Sequence, residues 1–249
     1  MFTTAIARPR HRELLLGALT GILAAALSIV AVGMLAVNLL HLGGAYLPKA
    51  LLLFAAGSAL VLLTLPESHA FIRMGPANHV TIVRGALIAL LAGLLGEHGN
   101  SATAAVAVVL ASVTMALDGV DGWLARRSGM TSDFGARFDM ETDAVFVAVL
   151  ALLVWQFGKA GSWVLFSGLM RYLFAAVVVI VPRLQRPVPS TIRGKTIAVL
   201  QMIALIVALT PFCSTAISAW VAGAGLLLLV LSFSLDVVWL LRQPVPDAP

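Results

Sequence analysis

The chain has 249 residues, 61% of them hydrophobic and only 11% charged, with a mean hydropathy of +1.03. Apolar runs of about 20 residues recur along it, the length a helix needs to cross a bilayer, so a water-soluble core is excluded. The net charge of +5 and pI near 10.1 would suit nucleic acid, but the basic residues are scattered among short connections, where positive charge sets membrane topology; no nucleic-acid partner is expected.

In chain order the sequence predicts an all-α, polytopic membrane bundle of eight spans, at roughly 14–38, 49–65, 79–97, 102–126, 134–157, 162–182, 195–212 and 215–241. Arg8, Arg10 and Arg12 precede an apolar run longer than the ~7 to 15 residues of a secretion-signal core, so the first helix is expected to stay uncleaved. With the N-terminus in the cytoplasm, thirteen of the sixteen Lys and Arg residues lie inside, Lys49 and Lys159 lie outside, and Arg171 falls within the sixth span. Both termini are then cytoplasmic. The single Cys213 excludes an intrachain disulfide, and neither a Cys/His cluster nor an HExxH pattern indicates zinc. No internal repeat is visible, and the Pro-rich end from Pro244 reads as a disordered tail.

Four aspartates interrupt the apolar pattern, in the stretch that begins at Leu117. Asp118 and Asp121 are three apart and Asp139 and Asp143 four apart, so each pair shares one face of its helix. A turn centred near Ser128 and Gly129 would put Asp118 and Asp139 at equal depth, close to the cytoplasmic surface. Carboxylates gathered that closely cannot all stay ionised without cations. Hard oxygen ligands suit Mg²⁺ or Mn²⁺, and four of them suit two ions ~4 Å apart, an arrangement that stabilises in-line displacement at phosphorus. The expected substrate therefore contains phosphate.

The residues between the acids fit such a ligand. Gly119, Gly122 and Ala125 leave one helix face nearly bare, which admits either a ligand or a closely packed helix. Arg126 follows one turn nearer the cytoplasm, where it can grip a diphosphate.

Asp118-x2-Asp121-Gly122-x2-Ala125-Arg126-x8-Gly135-x3-Asp139-x3-Asp143 resembles the complete signature of the CDP-alcohol phosphatidyltransferase family. Upstream, Asn78-x2-Thr81-x2-Arg84 is similar to the family's Asn-x-x-Thr-x-x-Arg element, although Asn and Thr are also common as helix caps. The resemblance implies a six-helix catalytic core, taken as 76–243, preceded by a cytoplasmic segment and two additional helices within 1–75 and followed by the tail 244–249. It implies two divalent ions, Mg²⁺ or Mn²⁺, one held by Asp118, Asp121 and Asp139 and the other by Asp118, Asp139 and Asp143. Asp143 is implied as the base for the acceptor hydroxyl. Asn78, Thr81, Arg84, Gly122, Ala125, Arg126, Ser132 and Gly135 match positions that contact or border the CDP donor, and His79 has a slight claim to the same wall. The implied reaction moves a phosphatidyl group from CDP-diacylglycerol to an alcohol and releases CMP, in a homodimer among membrane lipids. The expected location is a bacterial inner membrane, with the active site facing the cytoplasm.

The acceptor is less clearly marked. Arg171 within a span, with Arg186, Arg193 and Lys195 flanking the next helix, suits an acceptor that carries phosphate, such as glycerol 3-phosphate or another phosphorylated polyol. The loop residues also suit topology and headgroup contact. Arg193-Gly194-Lys195 with Gln201 is similar to a Gly-Lys…Gln element of the phosphatidylglycerophosphate and cardiolipin synthase branches, but Ile197 and Ala198 depart from it. Serine, choline, another phospholipid, or a CDP-linked small alcohol as donor therefore stay open.

Two rivals come from other classes. A cation transporter would carry its acids near the bilayer midplane on broken or repeated helices, which the pattern lacks. A catalytically dead scaffold would have little reason to keep all four acids.

Overall fold

The computed structural model describes residues 7–68, 75–129, 132–181 and 191–242. They form α1 (Ala7–Leu40), α2 (Tyr46–Ser68), α3 (Pro76–Gly93), α4 (Ser101–Ser128), α5 (Asp133–Gln156), a short 3-10 turn (Ser162–Leu165), α6 (Phe166–Ile180), α7 (Ile192–Leu209) and α8 (Thr215–Arg242). No strand occurs among the described residues, and the eight helices match the eight predicted spans to within four residues at each end, except that α1 begins seven residues earlier. The tail from Pro244 lies outside the described residues.

Seven of the eight helices are long and apolar enough to cross a membrane. The exception is α5, whose first three turns carry Asp133, Arg137, Asp139, Glu141 and Asp143. Its 24 residues still reach ~36 Å, enough for a bilayer core, so polarity and not length sets it apart. Large apolar side chains such as Leu23, Leu27, Leu63, Val179 and Ile180 stand exposed along the other helices, as expected where lipid is the solvent.

The chain divides into two compact units, Met1–Phe146 and Val147–Pro249. In the first, α3 packs against α1, α2 and α4. Small residues make this central position feasible: Ala86, Ala89, Ala92 and Gly93 are buried on α3. At Gly93 a Cβ would lie 2.8 Å from the ring of Tyr46, so only glycine admits this fully buried tyrosine, whose hydroxyl donates to Leu90 O at 3.1 Å. The α1–α2 turn is fastened to the end of α3. Lys49 Nζ bonds the carbonyl of Leu95 and lies 3.4 Å from Glu97 Oε1, while Gly43 N–H donates to Glu97 Oε2 at 2.9 Å. α4 starts on Asn100, whose side chain accepts from the N–H groups of Ala102 and Thr103, both at 2.9 Å. It ends at Gly129, in the left-handed conformation that favours glycine (φ 65°).

In the second unit α8 packs on α7 and α6, and the 3-10 turn lies against α6 and α8. A Cβ at Gly168 would come within 2.7 Å of Ala148 Cα, so α6 sits on the latter part of α5 at backbone distance. Gln201 Nε2 donates to Ser167 Oγ at 2.9 Å, joining α7 to α6. Lys159 Nζ donates to the carbonyls of Thr210 (3.0 Å) and Cys213 (2.8 Å) at the α7–α8 turn. The two lysines assigned to the outer side thus both satisfy backbone carbonyls at helix ends.

Candidate active site

Asp118 and Asp121 stand on α4, Asp139 and Asp143 on α5. The expected equal depth of Asp118 and Asp139 is corrected by the helix ends, because α4 runs to Ser128 and α5 begins only at Asp133. Asp118 lies ten residues before Ser128 and Asp143 ten after Asp133; Asp121 lies seven before and Asp139 six after. The pairs at matching depth are therefore Asp118 with Asp143 and Asp121 with Asp139.

Arg84, from the third turn of α3, joins both layers. Its Nη1 lies 2.7 Å from Asp121 Oδ2 and 2.5 Å from Asp139 Oδ1, while Nη2 lies 2.8 Å from Asp118 Oδ1 and also bonds Asp143 Oδ1. The planar fork of a guanidinium permits this division, one nitrogen to each layer. Arg84 is wholly buried, and its Nε has no hydrogen-bond partner among the described residues. One turn earlier, Thr81 donates to Asp121 Oδ2 at 3.3 Å and to Ala77 O at 3.1 Å. The sequence motif grouped Arg84 with the donor wall; its contacts are with the acids.

One guanidinium can balance only one of the four carboxylates. One carboxylate oxygen from each of Asp118, Asp121 and Asp139 lies within 4.8 Å of the others, so these three fit a divalent ion with hard oxygen ligands. Asp143 is tied to that group through Arg84 Nη2. The side chains of Asp139, Asp143 and Asp118 are 41%, 31% and 23% exposed and that of Asp121 only 4%, so the cluster is open on the α5 side and closed beneath.

Beside the acids lies a cavity of about 130 Å³. Asn78, Thr81, Gly122, Ala125, Ser132 and Gly135 line it together with Asp121 and Asp139. Two motifs more than 30 residues apart in sequence thus share one wall. Asn78 and Thr81 are not caps: α3 begins at Pro76 after Gly75, which makes no side-chain capping bond, and both residues are buried within the helix. Ser132 Oγ accepts from Gly135 N–H at 3.0 Å, a capping bond at the start of α5. A Cβ at Gly135 would meet Asn78 Oδ1 at 3.1 Å and Ser132 Oγ at 3.2 Å, so this glycine keeps the cavity open. Arg126 is exposed, and its Nη1 lies 3.4 Å from where a Cβ of Gly122 would stand. His79 faces away, bonding Gly75 O through Nδ1 at 3.1 Å and lying against Gly21 of α1.

A family model described as CDP-alcohol phosphatidyltransferase matches residues 74–232, more than half of the chain and every site residue above. The protein belongs to the CDP-alcohol phosphatidyltransferase family. No curated protein and no solved structure matches the chain. As a member, this phosphatidyltransferase is an integral membrane enzyme of phospholipid synthesis that takes its phosphatidyl group from a CDP-alcohol. The family uses divalent metal ions, and the Asp118, Asp121, Asp139 set has the oxygen chemistry to hold one.

The residues of the phosphatidyltransferase predicted to meet the acceptor fall in its second unit. Arg193 pairs with Asp236 of α8, Lys195 is exposed on α7, and Arg171 is half-buried on α6. Arg186 lies outside the described residues. The partnership of Arg193 with Asp236 escaped the sequence reading because 43 positions separate them. The role of Arg84 escaped it for a similar reason: helical spacing relates residues within a helix, whereas α3, α4 and α5 meet only in the fold.

Proposed function

We propose that the protein transfers the phosphatidyl group of CDP-diacylglycerol to an alcohol with release of CMP, using two divalent ions. The observation that carries this reading is the quartet of aspartates on α4 and α5 beside a cavity lined by both motifs. Asp118, Asp121 and Asp139 would hold one ion and Asp118, Asp139 and Asp143 the other; when bound, the ions offset charge on the diphosphate and on the departing CMP.

The chain's own groups supply the rest. Asn78, Thr81, Gly122, Ala125, Ser132 and Gly135 form the wall against which the CDP moiety binds, with Arg126 at its cytoplasmic end. Asp143 takes the proton of the acceptor hydroxyl as its oxygen attacks the β-phosphorus; the bond from that phosphorus to the CMP oxygen breaks, and CMP leaves with the electron pair. Arg171, Arg186, Arg193 and Lys195 favour an acceptor that carries phosphate, such as glycerol 3-phosphate or another phosphorylated polyol. The pairing of Arg193 with Asp236 takes one of these cations partly out of use, which keeps serine, choline, another phospholipid, or a CDP-linked small alcohol as donor, in the test. We place the site on the cytoplasmic side of a bacterial inner membrane from the distribution of Lys and Arg, with 1–75 as an addition to the catalytic core.

Purified protein incubated with CDP-diacylglycerol, Mn²⁺ or Mg²⁺ and a panel of alcohols should release CMP with one acceptor class and form the matching lipid. CMP release that persists undiminished in EDTA would refute the metal reading. Absence of CMP release with every acceptor would refute CDP-diacylglycerol as donor.

A further inference from the structure

We infer that Arg84 is a built-in counter-cation of the acid cluster, which holds the four aspartates together before divalent ions arrive and yields carboxylate oxygens to them on loading. The inference rests on the metal reading above and goes beyond it, because it makes ion binding a competition with a residue of the chain.

The geometry has three parts. Arg84 is the group through which all four acids are joined, each terminal nitrogen serving one layer of the cluster. The residues it engages include all three whose oxygens converge within 4.8 Å, so the same side chains are offered to the guanidinium and to an ion. Arg84 is also wholly buried, and its Nε meets no hydrogen-bond partner among the described residues while its two terminal nitrogens reach the acids. Four carboxylates without a nearby cation would repel one another or take up protons, and either outcome spoils a set of ionised ligands. With Arg84 among them, the metal-free protein keeps its site assembled.

A competing cation has a measurable sign. Removing it raises the affinity of the acids for a divalent ion and lowers the stability of the metal-free fold, whereas a residue that merely braced the site would leave ion affinity unchanged or reduce it. A unit charge a few ångströms from a divalent ion is worth about ten-fold or more in affinity at protein dielectric values.

The test uses the full chain in detergent, with Mn²⁺ binding read by the electron paramagnetic resonance of the free ion and unfolding temperature read in EDTA and in Mn²⁺. Arg84→Met is expected to bind Mn²⁺ about ten-fold or more tightly than the wild type and to unfold at lower temperature in EDTA, with recovery in Mn²⁺. Arg84→Lys, which keeps a charge but loses the fork, should move the same way by several-fold. Arg127→Met, which removes a cation lying over Trp123 at the end of α4, should match the wild type. Equal or weaker Mn²⁺ binding in the Arg84 variants overturns the inference; if Arg84→Met does not fold even in Mn²⁺, Arg84→Lys decides by the same criterion. A wild type that binds no Mn²⁺ refutes the metal reading itself, and the inference falls with it.

Discussion

At the scale of single residues, burial and like charge make each aspartate costly in a membrane helix, and the structure offsets that cost through Arg84 and Thr81. Asp143 has Arg84 as a neighbour and retains 31% side-chain exposure, which suits a group that must meet an incoming hydroxyl. Asp143→Asn should lower CMP release by about 100-fold or more while leaving the unfolding temperature in detergent close to that of the wild type. Near-normal turnover in that variant would remove Asp143 from the mechanism. At Gly135 an added Cβ would lie 3.1 Å from Asn78 Oδ1 and 3.2 Å from Ser132 Oγ, so the cavity wall has no room for a side chain there. Gly135→Val should fill that space and raise the KM for the CDP donor about ten-fold, and an unchanged KM would show that the donor binds elsewhere.

At the scale of elements, the helices are set by length and apolarity, while their approach is set by small residues. Gly168 touches the α5 backbone at Ala148, which cannot yield as a flexible side chain would. Gly168→Ala should therefore destabilise the protein by about 1 to 3 kcal/mol, as overpacking does, measured by thermal unfolding in detergent. The capping residue Asn100 supplies a contrast, since Asn100→Ala removes the side-chain acceptor of three hydrogen bonds at the start of α4, from Ala102 N–H, Thr103 N–H and the Thr103 hydroxyl, and should cost about 1 kcal/mol. A larger loss at Asn100 than at Gly168 would mean that helix ends, not close approach, limit stability.

At the scale of the whole molecule, topology turns on whether the polar α5 crosses the bilayer with the seven apolar helices. The sole cysteine reports on this directly, because Cys213 lies in the α7–α8 turn and is partly exposed. With eight spans and a cytoplasmic N-terminus that turn faces outward, so a membrane-impermeant maleimide should label Cys213 in sealed right-side-out vesicles. Labelling only after permeabilisation would place the turn inside and reverse the assignment, as would a seven-span chain. The side on which Lys159 lies follows from the same measurement, because only α6 and α7 separate it from Cys213.

Membrane class, the eight helices and the four aspartates were legible in the chain itself, because hydropathy and helical spacing are local properties that a bilayer makes nearly compulsory. Gly122, Ala125, Gly135 and the Asn78 to Arg84 element were legible as a family pattern. Which acids share a depth was decided by where α4 ends and α5 begins, which helical spacing does not report. That Asn78 faces Gly135, that Arg193 meets Asp236 and that Arg84 binds four carboxylates were decided by helices meeting across 30 to 60 positions of sequence. Periodicity orders residues along one helix; only packing determines which faces meet, and a buried charge is stabilised by whichever partner that packing brings within reach.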